Sequence, residues 1–143
     1  MQSASDLEKA LAIALKAHKG QVDKSGQPYI LHPIRMMIQL QETKAKVVAL
    51  LHDVIEDSDI TPNKLRREGF DSEIIEAVVC LTKKTKEDYI EYIWRVKKNH
   101  LARIVKLADL KDNLDASRLK HILPEDCQRM ERYLKAIELL SEK

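Results

Sequence analysis

The sequence predicts a single all-α domain, a bundle of about seven to nine helices. Three observations support this fold class. Only 3 Gly and 4 Pro interrupt the 143 residues, of which 44% are hydrophobic and 34% charged, a mixture typical of amphipathic helices around one core. Apolar residues recur at three- and four-residue spacing, and no stretch of useful length alternates as a half-buried strand does. A chain of this length buries one core, so residues 1–143 are expected to form one domain.

The first helices can be placed from their end signals. Ser5 followed by Glu8 matches a capping box, which predicts the start of the first helix, and Gly20 supplies its end. After a polar loop, Pro33 suits the first turn of a new helix, because a backbone N–H there has no partner within the helix. Residues 34–42 continue this second helix with one apolar side.

The rest of the chain carries longer helical signals. Residues 44–57 predict one strong helix with valine and leucine side chains facing inward. Thr61 and Pro62 then begin a short helix that Gly69 ends. The same apolar periodicity predicts the remaining helices, over residues 71–83, 86–99, 101–115 and 124–143.

Charge and cysteine content restrict the classes of function. Lys and Arg number 25 and Asp and Glu 23, so a net charge of +2 gives no overall field for nucleic acid or a membrane surface. Cys80 and Cys127 lack CxxC spacing, which favours free thiols in a reducing compartment. The polar N-terminus is unlike a signal peptide, and no apolar run approaches the roughly 20 residues that span a bilayer. We therefore expect a cytoplasmic protein that binds neither nucleic acid nor membranes.

A cluster of acids follows the apolar part of the segment 44–57. On a continuous helix Asp53, Glu56 and Asp57 share one face, where like charges oppose the helix by roughly 0.2–0.5 kcal/mol per pair. The helix dipole disfavours anions near the C-terminus by about another 0.3–1 kcal/mol each. A bound cation would relieve this conflict, whereas the alternative is a solvated acidic helix end.

Histidines and a second aspartate extend the cluster to a candidate metal site. Asp109 ends an apolar run, and an unpaired buried carboxylate there would be very unfavourable. The mixed N/O set suits Mn²⁺ or Fe²⁺, with Zn²⁺ possible, and consists of His32, His52, Asp53 and Asp109. Such a metal polarises a phosphoryl oxygen and lowers the pKa of bound water. Glu56 and Asp57 would orient that water, relay its proton or protonate the leaving group.

Three segments in order resemble one known family: "AHKGQVDKSGQPYILHP", "LLHDVIED" and "VKLADLKDN". The chain from about residue 8 to 140 resembles the HD-domain hydrolases of the alarmone ppGpp, which are the hydrolase domains of Rel and SpoT-type enzymes and the free-standing small alarmone hydrolases. The resemblance implies an all-helical HD fold, a Mn²⁺ ion and removal of the 3′-pyrophosphate from ppGpp.

The resemblance also implies roles for individual residues. The family's four metal ligands fall on the four histidines and aspartates named above, and its Glu-Asp pair for water activation falls on Glu56 and Asp57. Lys24 and Ser25 match the polar loop of the nucleotide cleft, and Asn113 matches an asparagine that contacts the sugar and phosphate region. Lys111, beside Asp109, is a further candidate because its charge would steer an anionic substrate.

Two positions depart from the family pattern. Asp23 stands where many members carry an arginine that stacks on guanine, and Ala116 stands where a threonine is common. A carboxylate gains neither stacking nor cation–π energy from a base. Two alternatives therefore remain: an HD nucleotidase acting on another nucleotide phosphate, and a non-catalytic nucleotide-sensing HD module.

His18 is expected to be a satisfied core or cleft histidine rather than a fifth ligand. The sequence predicts no oligomeric state.

Overall fold

The computed structural model describes residues 4–115 and 118–142, which fold into nine α-helices. These are α1 (Ala4–Ala17), α2 (Leu31–Gln39), α3 (Thr43–Leu51), α4 (Val54–Asp57), α5 (Pro62–Arg67), α6 (Ser72–Leu81), α7 (Tyr89–Lys97), α8 (His100–Asn113) and α9 (Pro124–Ser141). Within this part of the chain there is no β-strand, only an isolated antiparallel bridge between Val22 and Pro28. The predicted all-α bundle is confirmed. Ala116 lies outside the described residues.

The bundle is organised around α3. Its valine, leucine and alanine side chains from Ala45 to Leu51 are all fully buried, which is typical of a helix surrounded by others. It packs against α1, α2, α6 and α8, while α9 covers α7 and α8. α2 and α8 also contact each other directly, and polar side chains of the two helices are hydrogen-bonded across this contact. No helix in the described ranges has both the length and the apolar character needed to cross a membrane.

Several predicted helix ends are confirmed, and one is wrong. The Thr61 hydroxyl accepts a hydrogen bond of 3.2 Å from the Lys64 amide at the start of α5. Gly69 follows the end of α5 with φ +92°, a conformation that favours glycine. The predicted N-cap at Ser5 is wrong, because α1 already begins at Ala4. Asp6 supplies the negative charge that the first turn favours.

The predicted continuous helix over residues 44–57 is also wrong, because it breaks at His52 and Asp53. In an unbroken helix the carbonyl of Ala49 would accept from the Asp53 amide four residues later. Here it accepts from His52 instead, at 3.4 Å from the amide and 2.7 Å from the ring Nδ1. The imidazole therefore takes the carbonyl that the next turn needs, and α4 begins separately at Val54.

Candidate metal centre and its cavity

Two facing helices each contribute a pair of polar residues to the site. His32 and Arg35 share a face of α2, and Asp109 and Asp112 share a face of α8, because each pair is three residues apart. His32 Nε2 lies 2.8 Å from Asp109 Oδ1, and His32 Nδ1 lies 2.6 Å from Asp112 Oδ2. Arg35 donates two further hydrogen bonds to Asp112, of 2.8 and 2.9 Å. The imidazole is thus held between two carboxylates.

A second buried histidine, His52, has a fixed tautomer. Its Nδ1 lies 2.7 Å from the carbonyl oxygen of Ala49, which only accepts, so Nδ1 carries the proton. In the neutral ring the lone pair then belongs to Nε2. This atom lies 3.1 Å from Asp53 Oδ2 and 3.7 Å from Asp109 Oδ1 but makes no well-aligned hydrogen bond. A buried lone pair that faces carboxylates requires a proton or a metal ion between them.

Three ligand atoms converge at this point. Nitrogens of His32 and His52 and a carboxylate oxygen of Asp109 lie within 4.8 Å of one another. Opposite ligands at ~2.2 Å from one ion are about 4.4 Å apart, so the observed spacing is close to that of a metal site. Asp53 is not part of this group of three, but its Oδ2 lies beside His52 and accepts a hydrogen bond from the Tyr29 hydroxyl. It therefore adjoins the group as a candidate fourth ligand.

The electrostatics of the cluster favour positive charge at its centre. Burial would lower the pKa of His32, but hydrogen bonds to two carboxylates raise it. Burial would also lower the pKa of His52, yet the carboxylates of Asp53 and Asp109 raise it well above its ordinary value. Protons and metal ions compete for the same imidazole lone pairs. A divalent cation therefore satisfies the same electrostatic demand as protonation of the rings.

Asp109 is held through both of its carboxylate oxygens. Lys106 Nζ donates to Oδ2 at 2.8 Å, and Asn113 Nδ2 donates to Oδ1 at 3.0 Å. Burial would raise the pKa of Asp109, but the Lys106 ammonium and the two imidazoles keep it well below its usual range. Lys106 thus occupies Oδ2 and leaves Oδ1 facing the imidazoles.

The donor set fits a divalent transition metal. Imidazole nitrogen together with carboxylate oxygen suits Mn²⁺, Fe²⁺ or Zn²⁺, whereas Mg²⁺ and Ca²⁺ prefer sites in which every ligand atom is oxygen. Metal-binding histidines usually donate their second N–H to a carboxylate or a carbonyl. Asp112 fills this role for His32 and the Ala49 carbonyl fills it for His52. The residues present therefore fit a metal ion held by His32, His52 and Asp109.

Glu56 and Asp57 lie next to this centre on the exposed side of α4. Burial raises the pKa of Glu56, and the charges of Asp53 and Asp57 raise it further. Burial and the Asp53 charge likewise raise the pKa of Asp57. A raised pKa brings a carboxyl group nearer to the range in which it exchanges protons at neutral pH. The pair thus has the electrostatics of acid–base groups.

A cavity of about 380 Å³ opens beside the cluster, with Tyr29 and His32 in its wall. This volume lies within the ~300–1,000 Å³ range of small-molecule sites. Its cationic lining consists of Lys24, Arg35, Arg118 and Arg129. A second cavity of about 530 Å³ reaches Asp57 and is lined by Lys16 and Lys64. The second cavity also contains Asp57 and Asp59, so only the first cavity has more basic than acidic side chains in its wall. It therefore offers positive charge to an anionic ligand next to the cluster.

The residues predicted to bind substrate fall into two groups. Lys24, Ser25 and Asn113 line the first cavity. Lys111 is exposed on α8 and is not among the residues that line it. The roles of all four in binding remain predictions.

Asp112 and Arg35 were missed by the sequence analysis. Each lies three residues after a predicted ligand, Asp112 after Asp109 and Arg35 after His32, so helical spacing was the available signal. Polar residues at such spacing are common on solvated helix faces, so the spacing alone does not separate them from surface residues.

The Asp23 side chain is engaged within its own loop. Its Oδ1 accepts hydrogen bonds from the Ser25 amide at 2.9 Å, the Ser25 hydroxyl at 2.7 Å and the Gln27 amide at 3.0 Å. Burial raises the pKa of Asp23, but these hydrogen bonds outweigh it and lower the pKa. Asp23 thus shapes the loop that carries Lys24 into the cavity wall.

The fold and the site together define a helical domain with a buried cluster of histidine and aspartate that fits a metal ion. The cluster lies at the wall of a cavity large enough for a small molecule. No protein-family model matches the chain. It is 30% identical over 125 residues to the guanosine-3′,5′-bis(diphosphate) 3′-pyrophosphohydrolase of Aquifex aeolicus, a match that covers 79% of this chain and 18% of that protein. It is 30% identical over 141 residues to the bifunctional (p)ppGpp synthase/hydrolase SpoT of Escherichia coli, covering 88% of this chain and 20% of that protein.

The fold is also that of a solved structure described as a metazoan ortholog of SpoT that hydrolyzes ppGpp. The TM-score is 0.77 at 22% identity, and the match covers 99% of this chain and 88% of that chain. The chain belongs to the family of Rel/SpoT-type hydrolase domains. It spans about a fifth of the length of the curated relatives described here.

Proposed function

We propose that this chain is an HD-domain, metal-dependent phosphohydrolase that removes the 3′-pyrophosphate from ppGpp. The observation that carries the proposal is the convergence of His32, His52 and Asp109 beside a cavity with a cationic lining. The relatives' names supply the substrate. In this proposal residues 1–143 act as one domain on a small nucleotide in the cytoplasm, without nucleic acid or membrane.

The metal ion would be held by His32, His52, Asp109 and Asp53, and Mn²⁺ is the ion we propose, with Fe²⁺ and Zn²⁺ as alternatives. When bound, it supplies Lewis-acid polarisation of the phosphoryl group and makes water more acidic. Asp112 and Lys106 keep His32 and Asp109 in orientation through hydrogen bonds of 2.6 and 2.8 Å.

Glu56 and Asp57 would handle the protons of the reaction. Their raised pKa values allow one carboxylate to take a proton from the attacking water and one carboxyl group to return a proton to the leaving oxygen. Water adds at phosphorus, the P–O bond to the 3′ oxygen breaks, and that oxygen leaves with a proton. The products are pyrophosphate and GDP, or GTP from pppGpp.

The cavity would accommodate the nucleotide. Lys24 and Asn113 line it near His32, so they would contact the phosphate and sugar region. Arg118 and Arg129 add positive charge elsewhere in the wall. A polyphosphorylated nucleotide matches this distribution, because positive walls attract and retain anionic ligands.

A second candidate function has its own support in Asp23. Its Oδ1 satisfies three donors of its own loop, and a carboxylate, unlike an arginine, gains no stacking energy from a base. An HD nucleotidase that cleaves another nucleotide phosphate is therefore the alternative. The released phosphate distinguishes the two, because a ppGpp hydrolase releases pyrophosphate whereas a monophosphatase releases orthophosphate.

The test is turnover of ppGpp by the purified chain with Mn²⁺, compared with a panel of 3′- and 5′-nucleotides. Pyrophosphate and GDP as products would support ppGpp hydrolysis, and chelation of the metal should abolish turnover. Cleavage of another nucleotide with ppGpp left intact would support the nucleotidase. Metal binding without turnover of any substrate would contradict both and indicate a nucleotide-sensing module.

A further inference from the structure

His18 has one ring nitrogen without a hydrogen-bond partner among the described residues. The residue is 3% exposed, and its Nδ1 lies 2.9 Å from Oε1 of Gln21. Nε2 is buried and unpaired. The expectation of a buried histidine is confirmed, and among the protein groups described only Nδ1 has a partner. Since nearly all buried polar atoms have partners, an unpaired one at the edge of a candidate active site needs a reason.

Gln21 fixes which nitrogen of His18 carries the proton. The Gln21 Nε2 group donates to the carbonyls of Asp57 at 3.2 Å and Ala17 at 3.4 Å, so its Oε1 remains as the acceptor. His18 Nδ1 must therefore donate to it, and in the neutral ring Nε2 carries the lone pair. The same hydrogen bonds tie His18 to the backbone of Asp57 at the end of α4.

The His18 ring packs against Tyr29, which adjoins the candidate metal centre. The two ring centroids are 4.7 Å apart, and the Tyr29 ring lies 5.6 Å from that of His32. The Tyr29 hydroxyl donates to Asp53. His18 thus lies between the candidate metal centre, which it meets through Tyr29, and the end of α4, to which it is linked through Gln21.

We propose that His18 is a positioning residue whose Nε2 accepts a hydrogen bond from the water that Asp57 also holds. This inference rests on the proposed function, in which Asp57 serves the attacking water. A water that donates one hydrogen to His18 and the other to the Asp57 carboxylate directs its oxygen lone pair away from both acceptors. That lone pair is then free to attack phosphorus, while the proton goes to the carboxylate pair and His18 stays neutral.

Two substitutions of His18 distinguish the role of Nδ1 from the role of Nε2. In His18→Asn the amide nitrogen takes the place of Nδ1 and keeps the donor to Gln21, but the acceptor at Nε2 is lost. In His18→Gln the longer side chain brings its amide oxygen to the place of Nε2. We expect His18→Asn to lower kcat about 10- to 100-fold, with unchanged KM and Mn²⁺ affinity, and His18→Gln to recover most of kcat.

The matched control is His100→Asn, because His100 is exposed and bonded to Glu42 at 3.1 Å, away from the site. This variant should behave as the wild type. Wild-type kcat in His18→Asn would overturn the proposal. So would equal losses of kcat in both His18 variants together with a lower melting temperature, because that result indicates packing of the ring alone.

A second readout keeps this inference separate from the proposed function. If the wild type does not turn over ppGpp, the proposed function fails, and ¹⁵N spectra of the histidine rings then decide about His18. The proposal requires a protonated Nδ1, a bare Nε2, and a shift of the Nε2 signal in Asp57→Asn. A proton on Nε2, or an Nε2 signal that Asp57→Asn leaves unchanged, would overturn it.

Discussion

His32 on α2 and Asp112 on α8 are joined by a buried hydrogen bond of 2.6 Å between Nδ1 and Oδ2. The bond leaves Nε2 of His32 to face Asp109, so Asp112 sets the orientation of a metal-type ligand that is 80 residues away in sequence. Burial opposes ionisation of Asp112, but hydrogen bonds from His32 and Arg35 hold its pKa far below the usual range. Asp112 therefore stays a carboxylate under all ordinary conditions.

Asp112→Asn should weaken Mn²⁺ binding by about 10- to 100-fold, because a neutral amide supports the His32 imidazole less well than a carboxylate does. Isothermal titration with Mn²⁺ measures this. The control is Asp88→Asn, since Asp88 caps α7 and asparagine caps equally well. An unchanged affinity in Asp112→Asn would contradict the assigned role.

Asp53→Ala should abolish both Mn²⁺ binding and turnover if Asp53 is the fourth ligand. The Asp53 carboxylate lies 3.1 Å from His52 Nε2, so its removal takes away the carboxylate oxygen beside that ligand atom. Titration with Mn²⁺ measures the binding, and the ppGpp assay on the same preparation measures the turnover. Tyr29→Phe is the matched control, because it removes only the hydroxyl that donates to Asp53. Binding of Mn²⁺ with wild-type affinity in Asp53→Ala would limit the site to three protein ligands.

Glu56→Gln should retain Mn²⁺ and lose turnover, in contrast to Asp53→Ala. Glu56 is exposed and belongs to the acid–base pair rather than to the group of three ligands. Loss of a general acid–base group lowers kcat by about 10²- to 10⁴-fold. Steady-state kinetics together with the metal titration separate the two effects. Substantial residual turnover would remove Glu56 from the mechanism.

That polar groups lie buried around His52 and Asp109 could be predicted from the sequence, because both residues stand at apolar runs. His52 and Asp53 interrupt an apolar run with adjacent polar groups, and Asp109 ends another such run. The helix break beside them could not be predicted. It depends on the His52 ring competing for the Ala49 carbonyl, which is a choice of rotamer and not of residue type. Helical periodicity continues through the break because apolar residues occur on both sides of it.

Arg35 and Asp112, which hold His32 in place, could not be predicted from the sequence for a different reason. In the sequence each has the pattern of a solvent-exposed charged residue on an amphipathic helix. Only the packing of α2 against α8 brings the two side chains together. The unpaired nitrogen of His18 is likewise a property of three-dimensional surroundings. Sequence spacing shows which residues share a helix face, but it does not show which faces meet.

Lys106→Met should destabilise the metal-free protein by about 3 kcal/mol, because breaking a buried ion pair leaves Asp109 with less compensation. The two side chains are 2.8 Å apart and are 14% and 8% exposed. Methionine keeps an apolar stem but also removes the Lys106 ammonium that lies 5.3 Å from the centre of the Tyr92 ring. Urea unfolding gives the change, and Lys111→Met on the exposed side of the same helix should stay within about 0.5 kcal/mol of wild type. Equal stabilities of the two variants would contradict the importance of the Lys106–Asp109 pair.

Glu87 should contribute to stability at neutral pH and lose that contribution in acid. Its carboxylate accepts two hydrogen bonds of 2.9 Å from Arg95, which lower its pKa from 4.5 to about 2. Because the folded pKa is below the unfolded one, the unfolded state binds more protons between these values. The contribution is complete above about pH 4.5 and is lost as the pH falls towards about 2. Urea unfolding across this range should show a shallower acid dependence in Glu87→Gln than in wild type. Glu76→Gln, at an exposed position of α6, should keep the wild-type profile, and identical profiles for all three proteins would contradict the prediction.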